Sequence, residues 1–324
     1  MTLSKKQEGI YVDDSIADIL KTSDAIIFDC DGVLIDITKS YDLTITKTTK
    51  YVLENLSNIN DSIKIESEII DEFKSTGGFN DEVDLTYASI ISLVAAKKLQ
   101  RDSREFIFEV IKNCDISGII SAEKYIENLT EIDEIKNKLS YPGDHHENPL
   151  YKIFDQFFYG PELYQKLFKI TSEFSESGLI EKDIVIVNES LISKLKTKFD
   201  SKISIVTGRG KESIRYSLKE ILDQFDLNNS IFLEDESRNL AKPNPLSLIQ
   251  SIKGMESSHC IFVGDSMEDL IMAKKATEQG YKTTFCGIIG TSKNPRKKLE
   301  LFEKNEALLV LETIDLLPTV LNLE

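Results

Sequence analysis

Three short apolar runs punctuate the chain, at residues 25–28 (AIIF), 203–206 (ISIV) and 260–263 (CIFV). They close on Asp29, on Thr207-Gly208 and on Gly264-Asp265. A run this short, rich in β-branched or aromatic residues and without polar alternation, reads as a strand buried on both faces of a parallel sheet. Residues 282–286 are a weaker fourth candidate. Between the runs the period changes to that of a helix. Residues 212–225 put Ile214, Leu218, Ile221, Leu222 and Phe225 on one face, and 245–252 and 267–277 are shorter amphipathic stretches. Strands alternating with helices imply right-handed crossovers and a doubly wound, mostly parallel α/β sheet. Ligands of such sheets bind beyond the carboxyl ends of the strands, where these polar residues gather.

The stretch 37–175 has a different pattern. Its periods predict consecutive helices over 37–56, 62–73, 81–99, 103–113, 122–139, 150–158 and 161–174, separated by Gly, Pro or polar clusters. We therefore expect a discontinuous α/β domain, residues 1–36 and 177–324, interrupted after its first strand by an all-helical domain over 37–176. No internal repeat or low-complexity segment is evident.

The 324 residues, 41% of them hydrophobic and 29% charged, suit a globular protein with a substantial core. A net charge of -16 and the lack of a dense basic cluster argue against nucleic acid as partner. The short basic run at 293–298 (KNPRKK) reads as a solvated turn. Four scattered cysteines, with no metal-ligand spacing, fit a reducing, cytoplasmic setting. No signal-type or membrane-spanning apolar stretch occurs, so no membrane partner is expected.

Asp29 and Asp31, two apart at a strand end, direct two carboxylates to one side of the chain. That is costly unless one is protonated or a cation binds, and Mg²⁺, an oxygen-loving ion, answers it. A solvated Asp-Gly turn explains the same pair equally well when it stands alone. Three further strand-end groups accompany it. Thr207 offers a hydroxyl and Gly208 allows close backbone approach. Lys242 precedes a proline expected to hold it extended, and Asp265 adds another acid.

The segments FDCDGVLID, IVTGR, AKPNP and VGDSMED, in this order, resemble the four signature motifs of the haloacid dehalogenase superfamily. The resemblance covers 24–36 and roughly 177–290 and implies a Rossmann-like catalytic domain. It implies that Asp29 is the nucleophile and Asp31 the general acid/base. Thr207 would bind the phosphoryl group and Lys242 would balance charge. Mg²⁺ would be held by Asp29, the Asp31 carbonyl and Asp265. Asp31 separates the chain from the dehalogenase and ion-pump branches. The position of the helical insertion resembles the cap of the phosphoglycolate phosphatase-like subgroup, although it is longer here. The expected activity is hydrolysis of a small phosphorylated metabolite, of phosphoglycolate or sugar-phosphate type. A phosphomutase of the β-phosphoglucomutase type and a non-catalytic phosphate-ligand sensor are the alternatives.

Asp269 is compatible with supporting the metal from behind and with capping its own helix. Arg209 and Asn244 lie close to the motifs. In the insertion, the Gly-rich break at 74–86 offers Lys74, Asn80 and Asp84 to a substrate; a glycine helix end followed by an Asn80 or Asp81 N-cap is the competing account. His145-His146 read as surface loop, and Phe154, Phe157, Phe158 and Tyr159 as core.

Overall fold

A computed structural model describes residues 3–60, 63–79, 81–145 and 147–323. Among these residues ten strands lie at β1 Ser4–Gln7, β2 Ile10–Val12, β3 Ala25–Phe28, β4 Ile35–Asp36, β5 Ile184–Val185, β6 Ile203–Thr207, β7 Ile231–Phe232, β8 Cys260–Gly264, β9 Thr283–Ile288 and β10 Leu309–Leu311. Eight of them form one sheet in the order β1-β2-β10-β9-β8-β3-β6-β7. From β10 to β7 every pairing is parallel. The edge strands β1 and β2 run antiparallel. This is the expected doubly wound, mostly parallel α/β architecture. The β1–β2 hairpin and the short strands β7 and β10 were not foreseen, because two to four residues carry too little periodicity.

The sheet is buried on both faces. Ile26 and Phe28 join Ile205, Val263, Leu195 and Ile214 on one side, while Ala25 and Ile27 join Phe262, Leu248, Leu270 and Phe302 on the other. Alternate residues of β3 thus feed two cores, which is why the strand shows no polar alternation. The helix expected over 212–225 ends early. It runs Lys211–Leu218, then tightens to a 3₁₀ turn at Lys219–Gln224, with Lys219 at φ 51° where the α-helix breaks.

The chain divides into two compact units, residues 1–37 with 184–324 and residues 38–183. The second boundary differs from the expected 176/177 because the turn Leu179–Lys182 packs on the helices Thr38–Leu56 and Pro149–Phe168. At the crossing, β4 and β5 pair antiparallel, Ile35 with Val185.

The inserted unit is all-helical among its described residues. Four of its expected helices depart from the sequence reading. The stretch 62–73 begins later, at Ser67–Ser75. The stretch 122–139 splits into Ile119–Glu127 and Asp133–Leu139, the second opened by Asp133 and Glu134, acids that favour a helix N-terminus. The last two predicted helices merge as Pro149–Phe168 across a kink at Gly160 (φ 71°). A Cβ on Gly160 would lie 2.3 Å from Gly178 N, so two backbones meet there. Lys169, in the left-handed region, ends that helix before 174. Phe154, Phe157, Phe158 and Tyr159 are buried as expected, and Phe158 stacks on Tyr41 at 4.4 Å. No helix among the described residues is long and apolar enough to cross a membrane.

Candidate active site

Asp29, Thr207 and Asp265 end or follow the neighbouring strands β3, β6 and β8, so sheet order alone gathers them at one edge. Asp29 is buried, and its Oδ1 accepts the Cys30 N–H at 2.8 Å. Lys242 Nζ lies 3.0 Å from Asp29 Oδ1 and 2.7 Å from Asp269 Oδ1. Lys242 is in a turn whose bond to Pro243 is cis, which corrects the expectation of extended chain.

Burial pushes the Asp29 carboxyl up; Lys242 opposes this, while Asp269, Asp31 and Asp265 reinforce it. Lys242 is raised, its two carboxylate partners outweighing burial. One oxygen each from Asp29, Asp265 and Asp269 falls within 4.8 Å of the others. Carboxylates at that spacing fit a hard divalent cation such as Mg²⁺. The backbone makes room for the cluster. Gly32 has φ 73°, and a Cβ there would sit 2.4 Å from Asp265 Oδ2.

Asp269 combines the two roles weighed for it. Its Oδ2 accepts from the Asp265 and Ser266 N–H groups (3.2 and 3.1 Å) and from Ser266 Oγ, in a capping box at the start of helix Met267–Glu278. Its Oδ1 faces Lys242. The side chain fits under Gly264, where a Cβ would meet Asp269 Cβ at 2.5 Å.

Arg209 is buried and its Nη1 lies 3.2 Å from Asp31 Oδ1; its Nε donates to Ser213 Oγ at 3.0 Å. Asp31 is thus braced by Arg209 and lies outside the carboxylate trio. Thr207 is buried, and Gly208 is exposed with open space where a Cβ would stand. Asn244 accepts the Leu246 N–H at 3.0 Å and donates to Asn239 O at 2.8 Å, so it serves its own turn.

Part of this edge is similar to a known family. Residues 180–277 match the family described as haloacid dehalogenase-like hydrolases. The matched segment carries Thr207, Lys242 and Asp265. Among solved structures, the chain resembles phosphatase Tt82 from Thermococcus thioreducens, at 23% identity and TM-score 0.54, covering 80% of this chain and 90% of that one. A structural-genomics target solved by X-ray crystallography shares 18% identity at TM-score 0.62, with 92% and 98% covered. At these identities the likeness is one of fold. No curated protein matches the chain.

Two features of the α/β unit escaped the sequence reading. Glu234 Oε2 and Asp235 Oδ2 accept the N–H groups of Gly210 and Lys211, capping the helix after the Thr207 motif. Lys298, from the run read as a solvated turn, donates to Asp265 Oδ2 at 2.7 Å. The fact that helix Pro295–Lys304 follows β9 in the sheet is the only signal that could have placed it.

In the inserted unit the Gly-rich segment has architectural work. Lys74 Nζ pairs with Glu82 at 2.9 Å. Asp81 caps helix Glu82–Lys98 through the Val83 and Asp84 N–H groups, and Asp84 accepts from the Tyr141 hydroxyl. A Cβ on Gly78 would lie 2.4 Å from Asp115 O, so that glycine exists for backbone packing. Asn80 lies outside the described residues, as does His146. His145 lies in a turn, as expected, but is half-buried: its Nε2 is 2.8 Å from the buried Asp155 Oδ2 and its ring stacks on Tyr151 at 4.3 Å.

Proposed function

We propose that the chain is a Mg²⁺-dependent phosphatase acting on a small phosphorylated metabolite through an aspartyl-phosphate on Asp29. The observation that carries this reading is the pairing of buried Asp29 with Lys242, beside two further carboxylates whose spacing suits a divalent cation. The name of the Thermococcus thioreducens relative points the same way.

Asp29 attacks phosphorus in line, the P–O bond to the leaving group breaks, and the acyl phosphate forms. Lys242 balances the negative charge on Asp29 and on the transferring oxygens; its buried position 3.0 Å from Asp29 Oδ1 supports this role. Arg209 fixes one oxygen of Asp31. Asp31 donates a proton to the departing alkoxide and then takes one from the water that hydrolyses the acyl phosphate. Thr207 and Gly208 supply a hydroxyl and an open backbone position for the phosphoryl oxygens. Asp29, the Asp31 carbonyl and Asp265 would hold Mg²⁺, with Asp269 behind them. When bound, the ion neutralises charge on the phosphoryl oxygens and keeps Asp29 ionised. Substrate selectivity is assigned to the helical unit, with Lys74, which pairs with Glu82, and Asn80 as its first candidates.

The test is chemical trapping of Asp29. Brief incubation with a phosphate ester, acid quenching and peptide mapping should show hydroxylamine-labile phosphate on Asp29, and Asp29→Asn should show neither label nor turnover. Near-wild-type turnover in that variant would falsify the mechanism.

A further inference from the structure

Beyond β9 the chain returns to the catalytic edge. Thr291 Oγ1 donates to the Gly32 carbonyl at 2.9 Å, which ties the segment to the nucleophile's loop. Asn294 then caps helix Pro295–Lys304 by accepting the Lys297 N–H at 3.1 Å. In the first turn of that helix, Lys298 extends its Nζ to Asp265 Oδ2 at 2.7 Å, with its side chain only 18% exposed. Oδ2 is the same oxygen that packs against Gly32.

Four carboxylates, Asp29, Asp31, Asp265 and Asp269, therefore meet three cations, Arg209, Lys242 and Lys298. Arg209 and Lys242 serve Asp31, Asp29 and Asp269, as the proposed chemistry requires. Among the described residues Lys298 pairs with Asp265, and that chemistry gives it no task. A positive charge there acts with opposite sign on the two expected ligands. It repels a divalent cation and competes for an Asp265 oxygen, while it attracts a phosphate dianion.

We propose that Lys298 is a positioning residue that acts through Asp265 to weaken metal binding and strengthen phosphate binding. It thereby makes the metal's retention depend on the phosphorylated substrate. This rests on the phosphatase reading above. Removing the charge leaves Asp265 free to favour the metal and costs affinity for the anion.

Lys298→Met keeps the aliphatic stem and a helix-forming residue, and Lys298→Arg keeps the charge. Metal affinity without substrate is read from Mn²⁺ electron paramagnetic resonance and from the Mg²⁺-dependent rise in melting temperature. Anion affinity is read from inhibition by inorganic phosphate at saturating Mg²⁺. Lys298→Met should tighten the metal by about tenfold and weaken phosphate by a similar factor, the scale of one screened unit charge. Lys298→Arg should remain near wild type in both. A purely structural lysine cannot shift the two in opposite directions. Metal affinity that falls in Lys298→Met, or that stays unchanged with phosphate affinity, overturns the proposal while leaving the phosphatase reading intact. A wild-type protein that binds no divalent ion overturns both.

Discussion

Asp269 and Lys242 meet at 2.7 Å, and the carboxylate that holds the lysine is the one that caps its own helix with its other oxygen. The helix start and the charge behind the nucleophile are therefore one device. Because Asp269 is buried and held through both of its oxygens, it directs Lys242 at Asp29.

This dual use predicts a separation of effects. Asp269→Asn retains an acceptor for the Asp265 and Ser266 N–H groups but loses the charge facing Lys242. We expect turnover lowered about 10–100-fold, as for other outer-shell changes, with the melting temperature nearly unchanged. Asp269→Ala should lose the cap as well, at a cost of about 0.5–2 kcal/mol. Parallel kinetics and thermal denaturation check both.

Metal removal should silence the enzyme. EDTA is expected to abolish hydrolysis of p-nitrophenyl phosphate, Mg²⁺ to restore it, and Ca²⁺ to inhibit. Calcium's longer bonds and looser geometry do not hold oxygens for in-line attack as Mg²⁺ does. Undiminished turnover after exhaustive chelation is the contrary result.

Gly78 should matter to the helical unit through packing. An alanine methyl there meets Asp115 O and Gly118 N inside contact distance, and the neighbours are backbone that cannot turn aside. Gly78→Ala should cost about 1–3 kcal/mol in chemical denaturation, the usual penalty of overpacking. At Gly77 the added atom meets only Ile116 at 3.6 Å, so the loss in Gly77→Ala should reflect its positive φ alone, about 1–2 kcal/mol.

Stability should fall on mild acidification through His259. Its Nδ1 lies 2.7 Å from Thr22 Oγ1 and its Nε2 lies 2.8 Å from Thr284 Oγ1. Burial, aided by Lys282, lowers its pKa to about 4. The unfolded chain titrates near pH ~6.5, so between about pH 6.5 and 4 it binds a proton that the folded chain refuses. Stability from this group is thus complete above that window and lost as pH falls through it. His259→Gln should flatten the melting-temperature profile in that range; superimposable profiles would refute the assignment.

The sheet and the members of its edge were legible in the pattern of apolar runs. A strand buried on both faces must be a short unbroken apolar run, and such strands in a parallel sheet all end on one side. Asp29, Thr207 and Asp265 were therefore readable as neighbours although more than 170 residues separate the first two. What each charge faces became visible in three dimensions alone. Lys298 looked like solvated surface because a basic run carries no record of the carboxylate that β9 and its helix bring against it. Asp269 read as a cap or a metal support, and it took three-dimensional placement to give each of its oxygens a different partner. The Gly-Gly break resembled a ligand contact in sequence. Whether a glycine is there for a ligand or for another backbone depends on what lies within 4 Å, and at Gly78 that neighbour is the Asp115–Gly118 turn. Local pattern reports burial and periodicity, whereas pairing between distant charges is fixed only when the chain closes on itself.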